Sequence, residues 1–341
     1  MCARHVASQN TVIGMFESGT YGNASGNFWP GLVQSHNVVP MEGTFSTRYL
    51  GGVGRDVDLH VQGPKLFNGE LVIQPQDFRF FAWFAGSNVD AGSPSPHTHV
   101  ISTINNDVGT AFTSGPLNPF LSFGIEETNR ATADDNVNWQ RVIKGCVVDD
   151  IELKGSMGEI LEMNVKYIGT SGAFKSGAAS AINAFRYGTA GVGSIVDRPY
   201  IFSDCVLHIP SGTVHDTMMN FNFKGSNNLI ARHYLTGSRD AAAPQPDTRD
   251  LMFDVTFDAQ SERAKTLYES YYQGGSDFNM MLFINASTGS RDNALVLSGC
   301  HILDPFESPM GLTGINPNVL HIEAKGAVMN VNDLMQRYNP W

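Results

Sequence analysis

Apolar and polar side chains alternate without a break from residue 161 to 167, where Leu161, Met163, Val165 and Tyr167 are separated by Glu162, Asn164 and Lys166. A period of two is that of a strand with one face packed and the other polar. The pattern returns at Met219, Phe221 and Phe223 against Asn220, Asn222 and Lys224, and at Leu320, Ile322 and Ala324 against His321, Glu323 and Lys325. Residues 142–169, 202–225 and 295–326 therefore predict three similar hairpins, with Cys146, Cys205 and Cys300 at comparable places in their outgoing strands. A fourth, less regular hairpin is predicted over 32–63, with Leu59 and Val61 alternating against Asp58, His60 and Gln62.

Between the hairpins lie apolar runs of strand length at 70–74, 120–127, 251–258 and 278–285. Helices are predicted at 77–85 and 261–273, the second with Ser261 as its N-cap, and both run into Gly-Ser. Each half then reads hairpin, strand, helix, strand, hairpin, once an insert at 87–119 rich in Gly, Pro, Ser and Asn is set aside. The expected division is an N-terminal arm (1–30), a first β domain (31–170) carrying the insert, a Gly-rich linker (171–198), a second β domain (199–326) and a C-terminal arm (327–341).

Composition narrows the function. Charged residues are 16% of the chain, below the roughly 25% usual in soluble proteins, as suits many short strands and turns. The formal net charge is −11 with scattered Lys and Arg, so no basic stripe is present to grip phosphates. The four cysteines form no C-x-x-C pair and are expected as reduced, buried thiols. No stretch has the roughly 20 apolar residues of a membrane span, and the opening MCARHVASQNTVIG lacks the apolar segment of a signal peptide. Synthesis in the cytoplasm is the expectation.

Candidate chemistry is thin. His97 and His99 share a face and could ligate a metal with Asp90 or Asp107, but two histidines in a polar loop without a fixed third ligand are more simply loop residues. The pairs Glu126-Glu127, Asp134-Asp135 and Asp149-Asp150 point to opposite faces of a strand and read as solvated surface. YGTAGVGS lacks the Lys-Ser/Thr of a phosphate loop. No catalytic constellation, cofactor or metal site is predicted. Of the tryptophans Trp29, Trp83, Trp139 and Trp341, Trp83 falls in an apolar helix and Trp341 at the end, a poor stacking platform for sugars. A carbohydrate-binding module is thus a minor alternative.

Residues 12–170 resemble the tail tube proteins of long-tailed phages. The resemblance rests on FESGTYGNASG, similar to the Glu-x-x-x-Tyr-Gly opening of that family, on the Gly-rich first hairpin, on a strand leading to a short helix, and on VIKGCVVDDIELKGSMGEILEMNVKYIG. The second half joins it through its match to the first. The resemblance implies a mainly β fold: two tandem β-sandwich tail-tube domains, each with a flanking helix, closing into a β-barrel ring on oligomerisation. It implies a structural, non-enzymatic virion protein, assembled in the host cytoplasm, whose stacked rings form a conduit for double-stranded DNA. Two copies of the unit per chain imply a pseudo-hexameric trimer. Expected partners are the chain itself and the tape measure, tail tip and terminator proteins. Glu162, Asn164, Lys166, Asn220, Asn222, Lys224, His321, Glu323 and Lys325 are the expected lumen-facing residues. The insert, the N-terminal arm and the C-terminal arm are the expected ring-to-ring contacts, through Asp90, His97, His99, Asn105, Asp107 and Trp341. A baseplate, tail-terminator or decoration protein built on the same unit is the alternative.

Overall fold

The computed structural model describes residues 9–17, 24–28, 30–47, 59–91, 97–103, 122–130, 139–175, 198–215, 217–234, 238–258, 267–285, 292–303 and 317–333. The first half carries β1 (Gln9–Glu17), β2 (Ala24–Phe28), β3 (Leu32–Thr47), β4 (Leu59–Gln74), the helix α1 (Arg79–Ala85), β5 (Gly86–Ala91), β6 (His97–Thr103), β7 (Phe123–Arg130), β8 (Trp139–Ser156), β9 (Glu162–Gly169) and β10 (Ser171–Lys175). The second half carries β11 (Cys205–His208), β12 (Val214–His215), β13 (Met218–Ser226), β14 (Asp250–Asp258), a π-helical turn (Tyr268–Gln273), β15 (Phe278–Asn285), β16 (Asp292–Ile302), β17 (Pro317–Glu323) and β18 (Gly326–Asp333).

Every strand pairing is antiparallel, and the strands form three layers joined by β8 and β16. One long sheet runs β3-β4-β9-β8-β13-β14-β17-β16. Behind it lie one outer sheet, β2-β1-β7-β8-β10, and another, β12-β11-β15-β16-β18-β6-β5. Because strand side chains alternate, the apolar set of the long sheet (Met163, Val165, Ile151, Leu153, Phe221, Phe223, Phe253, Val255, Leu320, Ile322) is buried against these outer layers as one core. Among the described residues the long sheet has two free edges, at β3 and β16, and does not close on itself.

The two halves repeat each other in detail. The long sheet takes β3, β4, β9 and β8 from the first half and β13, β14, β17 and β16 from the second, in corresponding order. Phe123 faces Cys146 and Phe278 faces Cys300. Register shifts fall between Val33 and Ser35 in β3 and between Met218 and Asn220 in β13. Gly145 in β8 and Gly299 in β16 both take positive φ, 63° and 59°, where the strands leave the outer sheets for the long one. Thr170 N donates to Lys144 O (3.1 Å), and Lys325 N donates to Ser298 O (3.0 Å).

Two pairings between named strands join the halves. β8 pairs with β13 from Asp150↔Ser226 to Ser156↔Asn220, and β6 pairs with β18 from Ser102↔Val328 to His97↔Asp333. Helix α1 lies across the first joint. It is apolar almost all round, so it is buried on all sides, and Gly86 in the left-handed region ends it, its N–H donating to Ala82 O. Phe81 meets Phe223 at 5.7 Å, and Asn227 Nδ2 donates to Phe84 O and Val148 O (3.0 and 3.1 Å). Gly225 leaves room for the Phe84 ring, since a Cβ there would sit 2.4 Å from it. Gly225→Ala is expected to cost about 1–3 kcal/mol by overpacking this joint, read as a lower urea midpoint.

Several expectations need correction. Residues 202–225 are not a hairpin: β11 pairs with β15 in an outer sheet while β13 lies in the long one. Cys300, not Cys205, occupies the place of Cys146. The expected insert is a strand hairpin, β5–β6, over its described part. Residues 171–175 of the expected linker form β10 against β8, residues 327–333 of the expected C-terminal arm belong to β18, and the expected N-terminal arm holds β1 and β2. In each case backbone pairing takes the segment into a sheet in place of a free loop. Ser261 lies outside the described residues.

Candidate functional site

The polar face of the long sheet is built from the side chains that alternate with the core set. Rows of cross-strand neighbours cross the β8–β13 joint without interruption: Glu70, Lys166, Asp150, Ser226, Asp250; then Asn164, Glu152, Lys224, Met252, Glu323; then Glu162, Lys154, Asn222, Asp254, His321. Of the expected face residues, Glu162, Asn164, Lys166, Asn220, Asn222, Lys224, His321 and Glu323 share this one face. Lys325 does not extend it: like Thr170 it sits at a turn between strands, where it pairs with Asp277.

The face is acidic, with Glu70, Asp150, Glu152, Glu162, Asp250, Asp254 and Glu323 set against Lys154, Lys166 and Lys224. All three lysines are engaged: Lys154 with Glu162 (2.6 Å), Lys166 with Asp150 (3.4 Å), and Lys224 with Asp254 (3.5 Å) and Glu152 (4.0 Å). Exposed pairs add little stability, up to about 1 kcal/mol each. They do hold the ammonium groups down on the sheet. The hydrogen bond to Glu162 raises the Lys154 pKa, so that cation persists. The amides are tied down too, Asn164 to Glu70 (2.7 Å) and Asn222 to Glu152 (2.8 Å), and His321 contacts Asp254 at 2.7 Å. An open groove of about 360 Å³ lies over the joint, lined by Asp150, Glu152, Lys166, Lys224 and Asp250 among others. No cluster of three or more His, Cys, Asp or Glu side chains suited to a metal occurs among the described residues.

Glu70, Asp150, Glu152, Lys154, Asp250 and Asp254 were missed from sequence, although the alternation of Asp150, Glu152 and Lys154 with Ile151 and Leu153 carries the same signal as the return strands. Asp90, His97 and His99 lie in the β5–β6 hairpin, Asp90 opposite His99. His99 is fully buried, which withdraws its side chain from any contact outside the chain. Asn105, Asp107 and Trp341 lie outside the described residues. The carboxylate pairs are less solvated than expected. Glu126 is buried, and Glu127 contacts His36 and Arg141, each at 2.6 Å. Burial alone would raise the Glu127 pKa, but hydrogen bonds and charges from His36 and Arg141 outweigh it and hold it below the usual range. Burial raises the pKa of Asp149, and Asp134-Asp135 lies outside the described residues. Burial pushes the Cys300 thiol up to about 12 and Cys205 higher still, so both stay protonated. Trp83 is buried and offers no platform for a sugar.

The site is a wide, polar, β-structured wall whose three lysines are each held by a carboxylate. No helix among the described residues is long and apolar enough to cross a membrane. A family model described as phage tail tube protein matches residues 8–329, and the chain belongs to that family. It is a structural component of a phage tail. No curated protein sequence matches it.

Proposed function

We propose that the chain polymerises into stacked rings of three copies, each copy supplying two equivalent units, and that the polar face of the long sheet lines a channel through which DNA leaves the virion. The observation that carries this reading is the long sheet itself: eight strands, two like groups of four, joined edge to edge and open at both ends among the described residues. Open edges call for a partner, and ring closure removes them.

Simple geometry favours three copies over one or two. At ~4.8 Å between strands and a tilt of ~40°, with side chains reaching ~6 Å inward, 24 strands from three copies leave a bore of ~36 Å. Sixteen strands leave only ~20 Å, no more than the width of duplex DNA, and an eight-stranded barrel is filled by its own side chains. The acidic face, with its lysines paired, repels phosphates and lets DNA slide. The tape measure, tail tip and terminator proteins are the expected partners at the ends of such a tube, and assembly takes place in the host cytoplasm.

Negative-stain electron microscopy of concentrated protein tests this. Hollow tubes with three-fold or pseudo-six-fold end views are expected. Single rings that never stack would move the assignment to a terminator or baseplate role, and persistent monomers would overturn it.

A further inference from the structure

We propose that four buried polar side chains, His36, Glu127, Arg141 and Tyr167, form an acid-released latch that holds the edge strand β3 down on the outer sheet behind it. The inference concerns the chain before assembly and does not depend on the ring reading above. β3 pairs with β4 alone among the described residues, so no ladder holds its other side. His36 of β3 points into the core. Its Nδ1 contacts Glu127 Oε1 on β7 at 2.6 Å, and its Nε2 hydrogen-bonds the Tyr167 hydroxyl on β9 at 2.6 Å. Arg141 on β8 donates through Nε to the other Glu127 oxygen (2.7 Å) and reaches it with a second nitrogen at 2.6 Å. Glu127 is the hub, and none of the four side chains is more than 13% exposed.

The second half shows that the fold does not require these groups. Glu127 faces Arg141 as Leu282 faces Leu295, and Tyr167 faces Val148 as Ile322 faces Ile302. His36 faces Leu71 as Phe221 faces Val255, and Leu71 and Val255 face Val165 and Leu320 in turn. The counterparts of the four polar residues are thus Phe221, Leu282, Leu295 and Ile322, all buried in the core. An apolar set in place of a buried ion pair is often neutral or stabilising. The polar set lies under the edge strand β3, and the apolar set under β13, which has β14 on one side and β8 on the other. What the polar set adds is a response to protons.

Among the described residues, the ionisable groups facing Glu127 are His36 from β3, Arg141 from β8 and Tyr167 from β9, with Cys146 of β8 beside Tyr167. β1 sets Val12 opposite Glu127, and Glu126 points to the other face of β7. Burial acts to raise the Glu127 pKa, but His36 and Arg141 hold it below its ordinary value of 4.5. Its ionic contacts therefore contribute in full above that value and are lost as pH falls through the lowered one. Protonation removes the charge that His36 and Arg141 both face. Burial keeps Tyr167 protonated throughout, and the apolar set under β13 has nothing to titrate.

Hydrogen exchange of the dilute, unassembled chain at about pH 6.5 and about pH 3, corrected for intrinsic rates, tests the latch. Between the two, protection at 32–41 in β3 should fall at least about tenfold more than protection at 219–225 in β13. Glu127→Gln should show the lowered β3 protection already at the higher pH, with no excess loss in acid. The second-half set, His36→Phe, Glu127→Leu, Arg141→Leu and Tyr167→Ile together, should keep β3 protected at both. Equal losses at the two strands of the unmodified chain overturn the latch, as does an undiminished acid excess in either variant. If neither variant folds, the comparison of the two strands within the unmodified chain decides.

Discussion

Trp83→Ala lowers the stability of the unassembled chain by an expected 3–5 kcal/mol or so, the range for deleting a buried large aromatic. Trp83 stacks on Phe123 at 5.0 Å, tilts against Phe28 at 4.9 Å and meets the edge of Phe80 at 5.2 Å. It therefore ties α1 to β7 and β2 at once. Aromatic pairs of this kind add about 0.5–1.5 kcal/mol each beyond burial, and the space left by the indole cannot collapse while three rings hold its walls. Set against a domain stability of about 5–15 kcal/mol, the loss leaves little margin. Urea unfolding should show a lower midpoint at unchanged slope, with Trp83→Phe recovering part of the difference. A loss below about 1 kcal/mol would mean that this cluster does not anchor the helix.

The elements legible in the sequence are those where alternation is long and uninterrupted. The strand expected at 278–285 is β15 to the residue, and the one expected at 251–258 differs from β14 only by Asp250. Alternation tells which side chains share a face but not which strand lies alongside. β11 and β13 follow one another closely, yet they belong to different layers, because the edge of β8 competes for β13. The length of β8 was hidden for a related reason: one strand of 18 residues serves two sheets, and its only local cue is Gly145. In β6 a buried His99 beside Ile101 was masked by the loop-like composition around it. The β18 pattern was readable, since Ala327, Met329 and Val331 are buried and alternate with Val328, Asn330 and Asn332. The expected face residues followed directly from alternation. Lys325 did not, because its chain has already turned toward β18.

Tubes carrying Glu152→Lys, Asp250→Lys and Glu323→Lys together are expected to retain duplex DNA that unmodified tubes release. All three side chains lie on the polar face and none belongs to the core; exposed substitutions such as those at Asp250 and Glu323 usually change stability by less than about 0.5 kcal/mol each, and Glu152→Lys gives up in addition the hydrogen bond from Asn222 (2.8 Å), so assembly should survive. The change leaves four of the seven carboxylates on each copy and raises the lysines from three to six. It also removes Glu152 from beside Lys224, so that Asp254 alone of its two carboxylate neighbours still holds that ammonium. Each lysine that meets a phosphate releases a counterion, so binding should weaken with salt at a logarithmic slope of about −0.9 per contact. A duplex touched by 6–10 such groups over successive rings would lose about 10³–10⁵ in affinity between 50 and 200 mM salt. Co-sedimentation of duplex DNA with purified tubes across that range measures it. Steep, salt-reversible retention by the variant alone places this face on the DNA path through the tube. Variant tubes that form normally and hold no more DNA at low salt than unmodified ones would show that the acidic face lies elsewhere, whatever the number of copies in the ring.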